Sequence, residues 1–189
     1  MSFLFLFPIL SSCMIVSVIE RTLTGLDALS QIREPQRTVL REAAGDWIAN
    51  LDQRLVSLVL FGSVARGDAR GDSDIDMLIV ANDLPHGARD RRALFLDRWR
   101  ALRDQNPLPS AEWNLIVKSP EEAEYHSPLY LDMTEEALFL FDRDGFFKRV
   151  LLRMKERMEA LGSRRKFLSD GSWYWDLKPD YRFGEDVEI

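Results

Sequence analysis

One cysteine, two histidines and a deficit of positive charge narrow what this chain of 189 residues can do. Cys13 alone closes no internal disulfide and builds no cysteine-rich zinc site. His86 and His126 are too separated to suggest a metal cluster, and each reads as a surface or loop residue. With 25 Lys and Arg against 31 Asp and Glu, the net charge of -6 gives no general affinity for a polyanion, so nucleic-acid contact would need a local basic patch. Repeats and low-complexity tracts are missing too, and a hydrophobic content of 46% is that of an ordinary globular domain. Charge is also missing from residues 1–19, MSFLFLFPILSSCMIVSVI. This stretch imitates a targeting segment, and Leu10-Ser11-Ser12-Cys13 fits the pattern ahead of a lipidated cysteine. It has no basic start, however, and Pro8 interrupts it, so the expectation is an upstream extension with Met14 as the natural beginning; a membrane or lipoprotein anchor is the second reading.

What is present is concentrated in residues 62–76, GSVARGDARGDSDID, which follow the apolar run Leu55 to Phe61. A glycine where a strand ends lets the backbone turn tightly and approach a ligand, and the amides beyond it, with the Ser63 hydroxyl, can hold phosphate oxygens. After ten intervening residues come Asp74 and then Asp76, opening a second apolar strand through Val80. Strand side chains alternate, so both carboxylates point to one face and can reach the same divalent cations. Two metal ions roughly 3.5 to 4 Å apart clamp the attacking and leaving oxygens of a phosphoryl displacement, and magnesium suits oxygen ligands shared with substrate phosphates. Arg66, one turn after Ser63, either folds back on the triphosphate or pairs with Asp68 in solvent.

Gly62, Ser63, Asp74 and Asp76 in this spacing, with the flanks VLFGSVARG and SDIDMLIV, resemble the minimal nucleotidyltransferases of the DNA polymerase beta superfamily. The resemblance covers roughly residues 36 to 145, and the C-terminal GSWYWDLKPD looks like the tail of some prokaryotic members. It implies an α+β fold, a small mixed sheet flanked by helices, and transfer of a nucleoside monophosphate, by default AMP from ATP, to a hydroxyl with release of pyrophosphate. It also implies a third carboxylate on a neighbouring strand. Glu112 is the candidate, although an exposed strand-end glutamate would look the same, and Asn114 shares its face. Asp74, Asp76 and Glu112 are thus the expected catalytic and metal-holding residues, with two magnesium ions, and Gly62, Ser63 and Arg66 the nucleotide-binding ones. The implied setting is cytoplasmic and the implied acceptor macromolecular: a partner protein such as a HEPN-type toxin, or an RNA 3' end. A small molecule, or an antitoxin-like binding role without chemistry, is the alternative.

The apolar pattern predicts helices from Pro35 to Asn50, Ala88 to Asp104, Leu129 to Glu136 and Gly145 to Leu161, with a capped start at Ser119-Pro120-Glu121-Glu122. Strands are predicted over Arg54 to Phe61, Asp74 to Val80, Glu112 to Lys118 and Ala137 to Phe141, and Asp170-Gly171 marks a hairpin between short aromatic strands. The expected division is an extension at 1–19, a nucleotidyltransferase domain at 20–144, and a helix-and-hairpin appendage at 145–189. Arg149, Arg153 and Arg157 recur every four residues on one helix side, and Arg164, Arg165 and Lys166 follow. They are either a solvated face or an acceptor-binding surface, with Trp173, Tyr174 and Trp175 either stacking on a base or packing on the core.

Overall fold

Every residue of the strand Leu55–Phe61 (β1) is buried, because strands flank it on both sides and helices cover both faces. The structure, a computed structural model, describes residues 27–51, 53–70, 73–185 and 187; the extension expected over 1–19 lies outside them. The other strands of the main sheet are Ile75–Ala81 (β2), Trp113–Lys118 (β3) and Leu138–Asp142 (β4), in the order β3-β2-β1-β4. β1 runs antiparallel to β2 and β4, whereas β2 and β3 are parallel, so the sheet is mixed as expected. Among the described residues six α-helices surround it: Gln36–Leu51 (α1), Gly62–Arg66 (α2), Ala88–Gln105 (α3), Pro120–Glu124 (α4), Leu129–Glu136 (α5) and Phe146–Leu161 (α6). Ser119 and Glu122 close the capping box that their spacing announced at the start of α4.

Alternation along β2 divides the core. Ile75, Met77, Ile79 and Ala81 pack with Leu40 and Trp47 of α1 and Phe95 of α3, while Leu78 and Val80 pack with Tyr130 of α5 and Phe147 and Met154 of α6. On the first side the rings of Trp47, Trp113 and Trp99 form a chain, with centroids 5.3 Å and 5.7 Å apart. The Trp47 indole donates to the Phe95 carbonyl at 3.2 Å.

A register shift near Ser57 in β1 accompanies the one polar contact deep in the joint between sheet and α6. The Ser57 hydroxyl donates to Asp142 Oδ1 at 2.6 Å, and the same carboxylate accepts the backbone amides of Phe147 (2.9 Å) and Lys148 (3.1 Å). Asp142 therefore satisfies both a buried hydroxyl and the open amides of the α6 start. This joint, and the burial of Phe147, Val150, Leu151, Met154 and Met158, pack α6 against the sheet.

Gly162 ends α6 in the left-handed region, as its position suggested. Beyond it Arg164–Phe167 (β5) and Trp173–Asp176 (β6) pair antiparallel. The hairpin expected around Asp170-Gly171 is present, but its first strand is basic rather than aromatic. Arg165 and Lys166, not the following residues alone, fill it, because Arg165 has partners beneath. Among the described residues no helix is long and apolar enough to cross a membrane.

The placement of α6 has a measurable consequence. Met154→Ala removes a fully buried side chain and is expected to cost about 2 to 5 kcal/mol in urea unfolding, whereas Leu152→Ala, on the exposed side of the same helix, should stay within about 0.5 kcal/mol. Equal effects would detach α6 from the core.

Candidate active site

At the β1 end the chain must reverse into β2 while keeping Phe61 opposite Asp76. Gly62 makes this turn with φ of 71°, a conformation that glycine adopts without strain. Space demands glycine as well: a Cβ at this position would stand 2.2 Å from Asp76 Oδ2. Gly62 thus seats the Asp76 carboxylate against the turn. Ser63 follows, half-buried, in the first turn of α2, and Asp74 stands exposed immediately before β2. Alternation puts Asp76 on the sheet face covered by α5 and α6, where its strand neighbours Leu78 and Val80 pack.

The parallel register pairs Asp76 with Asn114 of β3, and the Asn114 side-chain amide donates to Asp76 Oδ1 at 2.8 Å. Glu112 lies two residues earlier. Its carbonyl accepts the Ile75 amide at 2.9 Å, and it borders a hollow of about 300 Å³ with Gln36, Val39, Ser73 and Ile75. Asn114, rather than Glu112, is the β3 side chain brought into contact with an aspartate. Among the described residues there is no group of three Asp, Glu, His or Cys side chains arranged to hold a metal ion. The parallel register, which sequence does not reveal, is what brings Asn114 beside Asp76.

Arg66 closes α2, with its side chain 26% exposed. Nε donates to Asp68 at 3.1 Å and Nη1 to Glu136 at the end of α5 at 3.2 Å, while the guanidinium lies 5.3 Å from the Trp173 ring centre. Burial works against its charge, but the hydrogen bonds to Asp68 and Glu136 outweigh burial and hold its pKa above the ordinary value. The sequence-level pairing with Asp68 is therefore present. Glu136 and Trp173 are partners concealed by sequence separations of 70 and 107 positions.

The six basic residues expected as an acceptor surface do not form one free patch. Arg165 is bound by Glu136 (2.6 Å), Asp132 (3.1 Å) and Glu135 (3.4 Å), and Lys166 pairs with Asp176 at 2.5 Å. Arg149 donates to the Asp144 carbonyl, and Arg153 approaches Glu124 at 3.8 Å. Trp173 and Trp175 both donate their indole N–H to Asp132 Oδ1, at 3.2 and 2.8 Å, which ties the hairpin to α5.

A glycine-serine turn lies against the second of two alternate aspartates at the start of β2, on a mixed sheet. The nucleotidyltransferase domain profile matches residues 47–139. The chain is 33% identical over 106 residues, 53% of its length and 68% of the relative's, to the Methanocaldococcus jannaschii protein named "Putative protein adenylyltransferase MJ1305". This chain belongs to the nucleotidyltransferase family and is a transferase enzyme. Solved structures are similar more distantly. A toxin-antitoxin complex with AMP-PNP gives a TM-score of 0.41 at 18% identity, covering 62% of this chain and 90% of that one. The complex of tri-AMPylated Shewanella oneidensis HEPN toxin with MNT antitoxin gives 0.37 at 17%, covering 62% and 87%. At those scores the likeness carries no argument about this chain.

The turn itself can be tested without any ligand. Gly62→Ala is expected to lower stability by about 1 to 3 kcal/mol in thermal unfolding, from the positive φ together with the clash on Asp76. Asp76→Ala should relieve only the clash, so the double variant is expected to recover part of the loss; full additivity would show that Asp76 does not press on the turn.

Proposed function

We propose that this nucleotidyltransferase adenylylates a protein, moving AMP from ATP to a side-chain hydroxyl of a partner chain with pyrophosphate as the leaving group. The observation that carries the reading is the contact of the Gly62 turn with Asp76, which joins a phosphate-approach point to a carboxylate pair. The relative named as a protein adenylyltransferase supports AMP as the group and protein as the acceptor. The acidic total charge, and the carboxylates beside Arg153, Arg165 and Lys166, speak against an RNA 3' end, since affinity for a polyanion needs free cations.

In this reading the turn at Gly62 lets the backbone approach the triphosphate, and the Ser63 hydroxyl donates to a phosphate oxygen. Arg66 reaches the developing negative charge from the far end of α2. The residues fit magnesium. Asp74 and Asp76 are hard oxygen donors on alternate positions, Gly62 leaves open the space at Asp76 Oδ2, and one or two carboxylates completed by substrate phosphates is the usual magnesium donor set. Asp74 and Asp76 would hold the metal, with Glu112 retained as a third donor only if it turns from its hollow. When bound, magnesium would neutralise phosphate charge and polarise the reacting phosphoryl group. Asn114 orients the Asp76 carboxylate through its 2.8 Å hydrogen bond.

Incubating the chain with magnesium and ATP labelled on the α-phosphate, against a lysate split into protein and RNA, tests the proposal directly. The expected result is label in the protein fraction, lost by about a hundredfold or more in Asp74→Asn and in Asp76→Asn, because even outer-shell changes at metal sites cost about 10- to 100-fold. Label in RNA would move the acceptor class, and wild-type turnover in both variants would remove the carboxylate pair from the chemistry.

A further inference from the structure

The hairpin β5–β6 is fastened to α5 by a cluster that does not stop at α5. Trp173 and Trp175, alternate residues of β6, both donate to Asp132 Oδ1. Arg165, the cross-strand partner of Trp175, lies 5.0 Å from the Trp173 ring centre and 5.1 Å from that of Trp175, with its side chain 14% exposed. Its Nη1 takes Glu136 Oε1 at 2.6 Å, and the other oxygen of the same carboxylate takes Arg66 Nη1 at 3.2 Å. One ring and one carboxylate are therefore shared by two guanidinium groups. One of those groups anchors the hairpin, and the other ends the turn that carries Gly62 and Ser63.

Arg66 is a flexible side chain at the last position of a five-residue helix, and its neighbour Asp68 fixes only Nε. The remaining freedom of the guanidinium plane is removed by Glu136 on one edge and by the Trp173 ring, 5.3 Å from its carbon centre. Glu136, 12% exposed, can hold this place because Arg165 compensates its charge from the opposite side. We propose that Trp173 and Glu136 are positioning residues for Arg66, so that the C-terminal hairpin sets the affinity of the site for the donor triphosphate. The proposal rests on the reading that the Gly62-Ser63-Arg66 turn receives the triphosphate. It gives the aromatic tail a part in substrate recognition without contact to the reacting atoms.

Steady-state kinetics on the full chain with ATP and magnesium, saturating in acceptor, tests it. Trp173→Ala is expected to raise the KM for ATP about threefold to tenfold, the range of a partly exposed cation–π contact and its hydrogen-bonded neighbour, with kcat within about twofold. Trp173→Phe keeps a ring under the guanidinium and should return KM most of the way, and Tyr174→Ala, a half-exposed residue on the same strand, should leave both constants unchanged. In an Arg66→Ala background the effect of Trp173→Ala should vanish, because it acts through Arg66. An unchanged KM, a lowered KM, or an effect that persists without Arg66 would overturn the proposal. Should Trp173→Ala fail to fold, Glu136→Gln carries the same expectation, since it keeps the shape and removes the charge. Failure of the underlying reading looks different: Arg66→Ala alone would then leave KM for ATP as it was.

Discussion

The antiparallel pairing of β1 with β2 is the constraint on which the rest of this molecule depends. It sets Phe61 opposite Asp76 and so requires the chain to leave β1 and re-enter β2 at the same end of the sheet. The segment between them is short, begins with a left-handed glycine, and is pinned where Gly62 meets the Asp76 carboxylate. Because β3 then adds in parallel to β2, Asn114 is carried to the same end. The helices serve this arrangement from both faces: α1 and α3 on one side, α5 and α6 on the other, bury the strands so that only their ends are open to a substrate.

Legibility in the sequence followed the distance over which information is encoded. The Gly62-Ser63 turn and the Asp74, Asp76 alternation are local, and they stand where the spacing places them. Helix positions were equally plain, as at α6, where Phe147, Val150, Leu151, Met154 and Met158 recur at the helical period and are buried. That period says which side of a helix is apolar but not what covers it. The period of α6 therefore gives no sign that Asp142 bridges Ser57 to its first turn.

Polar partners across long separations were the illegible part. Arg149, Arg153, Arg165 and Lys166 follow one another as a basic series along the chain, and in space each has a partner of its own. In space Arg165 sits among three carboxylates of α5, 29 to 33 residues earlier. The contact of Asn114 with Asp76 was illegible for a related reason: strand alignment, not residue type, decides which side chain meets Asp76. Pairing with Asp68 could be foreseen for Arg66 because it is two residues away; pairing with Glu136 could not.

The distribution of the five tryptophans has an optical consequence. Trp47, Trp99 and Trp113 lie within ring contact of one another, buried or half-buried on the α1 and α3 side, close enough for excitation to pass among them. Trp173 and Trp175 lie elsewhere, hydrogen-bonded to a carboxylate and faced by guanidinium groups whose charge shifts the emission of an indole. The chain therefore carries two spectrally separate reporters, one for the integrity of the sheet's aromatic side and one for the seating of the hairpin beside the nucleotide turn.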